Sequence, residues 1–174
     1  DALAKAYYRI RAGLGFEKTA TEYGAFPTDP YSHTPAHAGA QQPGMTGQVK
    51  EEILTRFGEL GVTVEKGLVS FRPMLLRRLE FLSAAGMYRY YDLEGIAHSI
   101  VVPAGSLAFS VCQVPVIYEL GPDAAWIRVT TSDGTCSTRS GNELDADTSR
   151  TLFARNGGIS RIDVGVPERV ICRL

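Results

Sequence analysis

The residues best suited to chemistry crowd into one stretch, TEYGAFPTDPYSHTPAHAGAQQPGMTGQ (21–48). Tyr23, Phe26 and Tyr31 offer flat rings, and Gln41, Gln42, His33 and His37 offer groups that both donate and accept hydrogen bonds. Together these are the means of sugar recognition: rings stack on the apolar faces of a pyranose while amides and imidazoles take its hydroxyls. The same rings also suit a plainer task, pinning a long loop to neighbouring helices. Asp29, next to Tyr31 and His33, is the candidate catalytic acid or base. Its plainer reading is an Asx-turn before Pro30. His33 and His37 have HxxxH spacing, which on a helix would present two imidazoles to a metal. Pro35 between them breaks such a helix and no Glu accompanies them, so neither metal nor cofactor is expected.

Elsewhere the reactive residue types lack their contexts. There is no GxSxG elbow for a serine nucleophile, and no CGSCW-like surround for a thiol. GLG at 13–15 follows a helical pattern instead of a strand, so it is no phosphate loop. A cupin would want several His with a Glu on adjacent strands, and the strand region offers His98 alone. Arg77, Arg78, Arg89 and His98 read either as an anion patch or as a solvated strand face. Cys112, Cys136 and Cys172 form no CxxC; they read as small semi-apolar fillers, the alternative being a disulfide between two of them where the fold brings them together, with a cytoplasmic location favoured.

Composition narrows the field further. The 174 residues are 44% hydrophobic and 21% charged, an ordinary globular mixture long enough to build a core without disulfides. Eighteen basic against nineteen acidic side chains leave a net charge of −1, without the footprint of a nucleic-acid or anionic-membrane binder. No apolar run approaches the roughly 20 residues that span a bilayer.

The elements that must position these residues change character near residue 62. Leu3, Ala6, Tyr7 and Ile10 recur at helical spacing over residues 1–12. Residues 15–47 are punctuated by Gly and Pro, yet their aromatic content favours an ordered loop. Val49, Ile53, Phe57 and Leu60, with Leu54 beside them, form the stripe of a second helix ended by Gly61. Beyond it the period becomes two. VTV (62–64) and LVSF (68–71) flank a turn, and RPMLLRRLEFL (72–82) reads equally as helix or strand. MYRYYDL, HSIVV, SLAFSV, VPVIYEL, AWIRVTT, TCSTR, SRTLF (149–153) and SRIDVGV follow as short strands, with Asp133-Gly134 marking a hairpin. The expected fold is mainly β: an antiparallel β-sandwich of about eight strands, preceded by two helices and the long ordered loop. The division is residues 1–61, a helix–loop–helix end of a helical domain, and residues 62–174, the sandwich. VPVIYE is a continuous apolar run and should be a central strand.

A helix, an aromatic- and His-rich loop, then PGMTGQVKEEILTRFGELGV (43–62) running into GLVSFRPMLL (67–76) and a sandwich resembles the C-terminal end of (α/α)6-barrel carbohydrate-active proteins. The layout is similar to glycoside phosphorylases and related hydrolases, such as cellobiose- and chitobiose-phosphorylase-like enzymes. The resemblance implies a sugar or polyol substrate, a structural sandwich, and a loop over 15–48 that contributes to the sugar site. It also implies that the catalytic acid belongs to an earlier part of the barrel. The partners expected are therefore a carbohydrate or small polar ligand and the N-terminal remainder of a parent chain, with no nucleic acid and no membrane. The chain alone should then lack glycoside turnover. The alternative is a non-enzymatic β-sandwich module that binds carbohydrate or a protein partner.

Overall fold

A computed structural model describes residues 2–12, 48–121 and 124–172. Tyr23, Phe26, Asp29, Tyr31, His33, His37, Gln41 and Gln42 lie outside the described residues, as does the long loop that carries them. The chain divides into two compact units between Phe57 and Gly58.

In the first unit, α1 (Ala2–Arg11) ends in the basic residues Arg9 and Arg11, which suit the negative end of the helix dipole. Arg11 donates to Glu52 of α2 (Gln48–Leu60), Nη1 to Oε2 at 2.7 Å. Both helices form as their spacing predicts, but much of their apolar stripe faces outward: Leu3, Ile10, Ile53 and Leu54 are exposed. Periodicity dictates helix; it does not dictate a covering layer.

The second unit is β-rich. Strands β1 (Val62–Glu65) and β2 (Leu68–Phe71) form a hairpin whose turn, Lys66-Gly67, has positive φ at both residues, 52° and 82°. That is the turn geometry matching the right-handed twist of paired strands. Gly61, which ends α2, has φ 69°, and a Cβ there would meet the Arg72 carbonyl carbon at 2.0 Å. Only glycine fits. Residues 72–82 resolve as neither helix nor strand. The stretch contains one 3-10 turn, Arg78–Glu80, and a parallel bridge from Arg77 to Cys172, with Leu76 and Phe81 buried.

Strands β3 (Gly86–Tyr91) and β4 (Ala97–Val102) make a second hairpin. The remaining strands, β5 (Ser106–Val111), β6 (Val114–Gly121), β7 (Trp126–Thr131), β8 (Cys136–Ser140) and β9 (Ile159–Pro167), form one sheet in the order β5-β6-β9-β7-β8. The fold is mainly β with two early helices, as the sequence pattern predicts. The Asp133-Gly134 hairpin joins β7 to β8: Asp133 Oδ1 accepts from Thr131 Oγ1 and Thr135 N, and Gly134 has φ 84°. One pair inside the sheet, β6–β9, is parallel. Parallel strands are normally covered on both faces, which is what the unbroken apolar run of β6 provides.

SRTLF (149–153) is a correction. It lies in a third helix, α3 (Ala146–Ala154), not in a strand. Asp145 caps its start, accepting from Thr148 N at 2.7 Å, and Asp147 sits in the first turn. Ser149 and Leu152, three apart, are the residues it buries. Ser149 Oγ accepts from Val69 N, while Leu144 N and Phe71 N bond to Val69 and Asn142 carbonyls, so the free edge of β2 is covered.

The sheet has two unlike faces. On one, Phe109, Val116, Tyr118, Ile162, Val164, Ile127 and Val129 stand together in register. Tyr118 is fully buried, edge-on to both Phe71 and Phe109, and its hydroxyl donates to the Leu60 carbonyl at 2.6 Å. On the other face stand Ile117, Glu119, Asp163, Gly165, Trp126 and Arg128. Ile117 is also fully buried, so β6 is covered on both sides.

Ile117→Ala is expected to cost about 2–5 kcal/mol in denaturant titration, the range for truncating a buried Ile. Tyr118→Phe leaves the Leu60 carbonyl buried without its donor, for about 1–3 kcal/mol. Burial holds the Tyr118 phenol well above its ordinary pKa of 10.0. The neutral form is favoured in the fold, so this contribution is complete below pH ~10 and falls as pH rises further. Stability measured from pH 9 to 11 should decline in the parent, and that part of the decline should vanish in Tyr118→Phe.

Candidate functional site

Among the described residues, polar groups converge in an open cleft of about 250 Å³. Its walls are the end of the β3–β4 hairpin, the turn between β5 and β6, and the segment after α3. Each wall is held in place by a local device.

The hairpin wall presents Tyr90, Asp92, Glu94 and His98. Tyr90 and His98 are cross-strand partners, so their rings stack, with centroids 5.4 Å apart and an interplanar angle of 27°. Tyr88 stacks on Tyr90 from two residues away, and its hydroxyl shares a 2.8 Å hydrogen bond with Ser110 Oγ, tying the hairpin to β5. Asp92 organises the loop: Oδ1 accepts from Glu94 N and Ile96 N, and Oδ2 lies 2.6 Å from His98 Nε2. The His98 hydrogen bond, followed by that from Ile96 N, holds the Asp92 carboxyl below its ordinary value of 3.8.

The turn wall is Cys112-Gln113, two residues with φ 50° and 65°. Asn-Gly adopts this geometry most readily, and larger residues do so at a cost of roughly 1–2 kcal/mol each. Gln113 uses the position to bridge the walls. Its Nε2 donates to the Asp92 carbonyl at 2.8 Å, and its Oε1 accepts from Arg155 Nη2. The helix wall is Arg155, itself left-handed at φ 48°, with Asn156, whose Oδ1 accepts from Gly158 N.

The arrangement can hold a small hydroxyl-rich or anionic ligand. Asp92, Glu94 and Gln113 accept; Arg155, Asn156 and His98 donate; Tyr90 and Leu93 supply apolar surface. Cys112, His98 and Asp92 share the cleft, but no hydrogen bond joins the thiol to the imidazole, so they do not form a nucleophile–base pair. Among the described residues no three His, Cys, Asp or Glu side chains gather as a metal site. All three cysteines are free thiols, and Cys136 is exposed at the start of β8, not a filler. Arg77, Arg78, Arg89 and His98 do not form one patch. Arg77 pairs with Glu80, and Arg89 stands opposite Ser99 on the other face of the hairpin from His98. No described helix is long and apolar enough to cross a membrane.

A second cavity, about 430 Å³, is lined mainly by Phe71, Pro73, Met74, Val166, Pro167 and Val170. It offers few polar groups to orient a substrate.

The sequence pattern points to residues 21–48, of which only Gln48 is among the described residues, and it reads His98 as a lone strand histidine or as one member of an arginine-rich strand face. Gln113 and Arg155 were not singled out, because their roles depend on left-handed backbone that no side-chain pattern announces.

The Asp92 carboxyl should titrate below 3.8 when followed by carbon-13 NMR. His98→Ala should raise that value, since it removes the largest cause. A lowered carboxylate pKa contributes stability above its unfolded value and loses it as pH falls through the folded one. The ordering contributed by the Asp92 carboxylate to the 92–98 loop should therefore be lost as pH falls through its folded pKa, below 3.8. No protein-family model matches the chain, and no curated protein matches it.

Proposed function

We propose that this chain is the C-terminal part of a carbohydrate-active protein, and that its β unit binds a sugar or small polyol in the cleft between the β3–β4 hairpin and α3. The observation that supports the reading is the bridge Asp92–Gln113–Arg155 beside the Tyr90–His98 stack. Sugar hydroxyls donate and accept at once, and they are matched by carboxylate, amide and guanidinium groups set around a ring face. The volume, about 250 Å³, sits below the ~300–1,000 Å³ of drug-sized sites and suits one small ring. The loop carrying Tyr23, Phe26, Tyr31, His33, His37, Gln41 and Gln42 supplies a further sugar-contacting surface in this reading. Catalysis belongs to the parent barrel.

Proton–nitrogen NMR during titration with glucose and with cellobiose tests the cleft. Saturable shifts are expected at Glu94, Gln113 and Asn156. Gln113→Ala, which removes both ends of the bridge, should weaken binding at least about tenfold while the fold persists. Shifts absent with every sugar, or produced by inorganic phosphate alone, would remove the reading.

A further inference from the structure

We propose that the sheet face opposite the aromatic core carries a second ligand site, built by Asp163, Arg128, Trp126 and Glu119, for a neutral polyhydroxylated molecule. It goes beyond the cleft and stands on different atoms.

Two neighbouring rows of the sheet define the site. In one, Ile117, Asp163 and Arg128 are aligned across β6, β9 and β7; in the next, Glu119, Gly165 and Trp126 are aligned. Aligned residues share a face, so all six stand on the same side. Asp163 is the decisive member. Its side chain is 4% exposed, and Arg161 engages a single oxygen, Oδ1: Nε donates to it at 2.6 Å, and Nη2 lies 2.6 Å from it as an ion pair. Oδ2 accepts no hydrogen bond from any described residue. A buried carboxylate oxygen without a donor is costly and calls for a partner.

The complementary orphan lies directly across the strand pair. Arg128 is the cross-strand partner of Asp163 but does not bond to it. Its guanidinium lies over the Trp126 ring, 5.0 Å from the centroid, and makes no hydrogen bond or ion pair with a described residue. Five N–H donors are therefore free in a half-buried setting. The indole lies flush on Gly165, where a Cβ would come within 2.0 Å of Nε1. Glycine at this position lets the ring settle onto the strand, with Glu119 on the far side of the same row.

Charge then selects the ligand. Arg128 and Arg161 balance Asp163 and Glu119, so an anion meets two carboxylates and a cation meets two guanidiniums. A neutral diol meets neither objection. One hydroxyl donates to Asp163 Oδ2 while its neighbour accepts from Arg128, and the indole edge covers the carbon skeleton.

Trp126 is the chain's single tryptophan and reports on the site directly. The 174-residue chain is titrated with glucose, cellobiose and myo-inositol, with inorganic phosphate as the charged control, while tryptophan emission is followed. A saturable change with at least one polyol and none with phosphate is expected. Arg128→Leu, at a half-exposed position, should weaken that response at least about tenfold, and Asp163→Asn should do the same if the thermal transition shows it folded. Gln113→Ala, in the cleft, should leave it unchanged. The proposal is overturned by no saturable response to any polyol, which leaves Oδ2 to an ordinary buried water. It is equally overturned by a response to phosphate alone, by one that survives Arg128→Leu, or by one lost in Gln113→Ala, which assigns it to the cleft.

Discussion

The β unit depends on one buried hydroxyl. Tyr118 sits on β6 with its ring edge-on to Phe71 of β2 and Phe109 of β5, and its O–H reaches the Leu60 carbonyl at the end of α2. Helix ends leave carbonyls without intrahelical donors, and a buried one must find a partner elsewhere. Here a tyrosine supplies it, so the last turn of α2, the first hairpin and the sheet meet at one residue. Phenylalanine would fill the same space and strand the carbonyl. Gly61 completes the junction: the chain can pass against the Arg72 backbone only because no Cβ intervenes.

From that junction the rest of the core follows by register. Because side chains alternate along a strand, fixing Tyr118 on the inner face fixes Val116, Val164 and Ile127 there too, and sends Ile117, Asp163 and Arg128 to the other face. A slip of one residue would bury Asp163 and Arg128 among aromatic rings. The apolar face and the polar face are thus one decision, and the chemistry available on the second is a consequence of packing on the first.

Much of this is legible in the sequence, for identifiable reasons. Asp133-Gly134 and Lys66-Gly67 mark hairpins because glycine alone adopts positive φ without cost, and the β pairs lie where they should. VPVIYE announces a strand covered on both faces, although not that its neighbour runs parallel. SRTLF misleads because Thr148 and Thr151 favour strands locally, whereas Asp145 and the Ser149–Leu152 spacing, which decide the outcome, are spread over eight residues. SRIDVGV carries its own clue: a carboxylate inside an apolar strand needs a partner, and Arg161 two residues earlier is the one on its face. The cleft was illegible for a different reason. Gln113 acts by bridging Asp92 and Arg155, which are 21 and 42 residues away, and no local pattern encodes such a meeting.

Backbone strain separates the cleft from ordinary surface. Among the described residues, non-glycine positive φ occurs at Lys66, Cys112, Gln113 and Arg155. Lys66 belongs to a hairpin turn completed by Gly67, so its geometry serves the turn alone. The other three line one cleft. A two-residue turn between β5 and β6 needs left-handed residues whatever their identity, and Asn-Gly would satisfy it with less strain. Asn-Gly, however, could not span from the Asp92 carbonyl to the Arg155 guanidinium. Strain held at sites of roughly 1–3 kcal/mol each persists only where surrounding structure enforces it. Here the enforcing structure is the buried start of β6: Val114 and Pro115 follow the turn directly, and Val116, Ile117 and Tyr118 beyond them are all fully buried. The core holds the turn in a conformation its residues do not favour, and the turn in exchange presents a long amide where a glycine would present nothing.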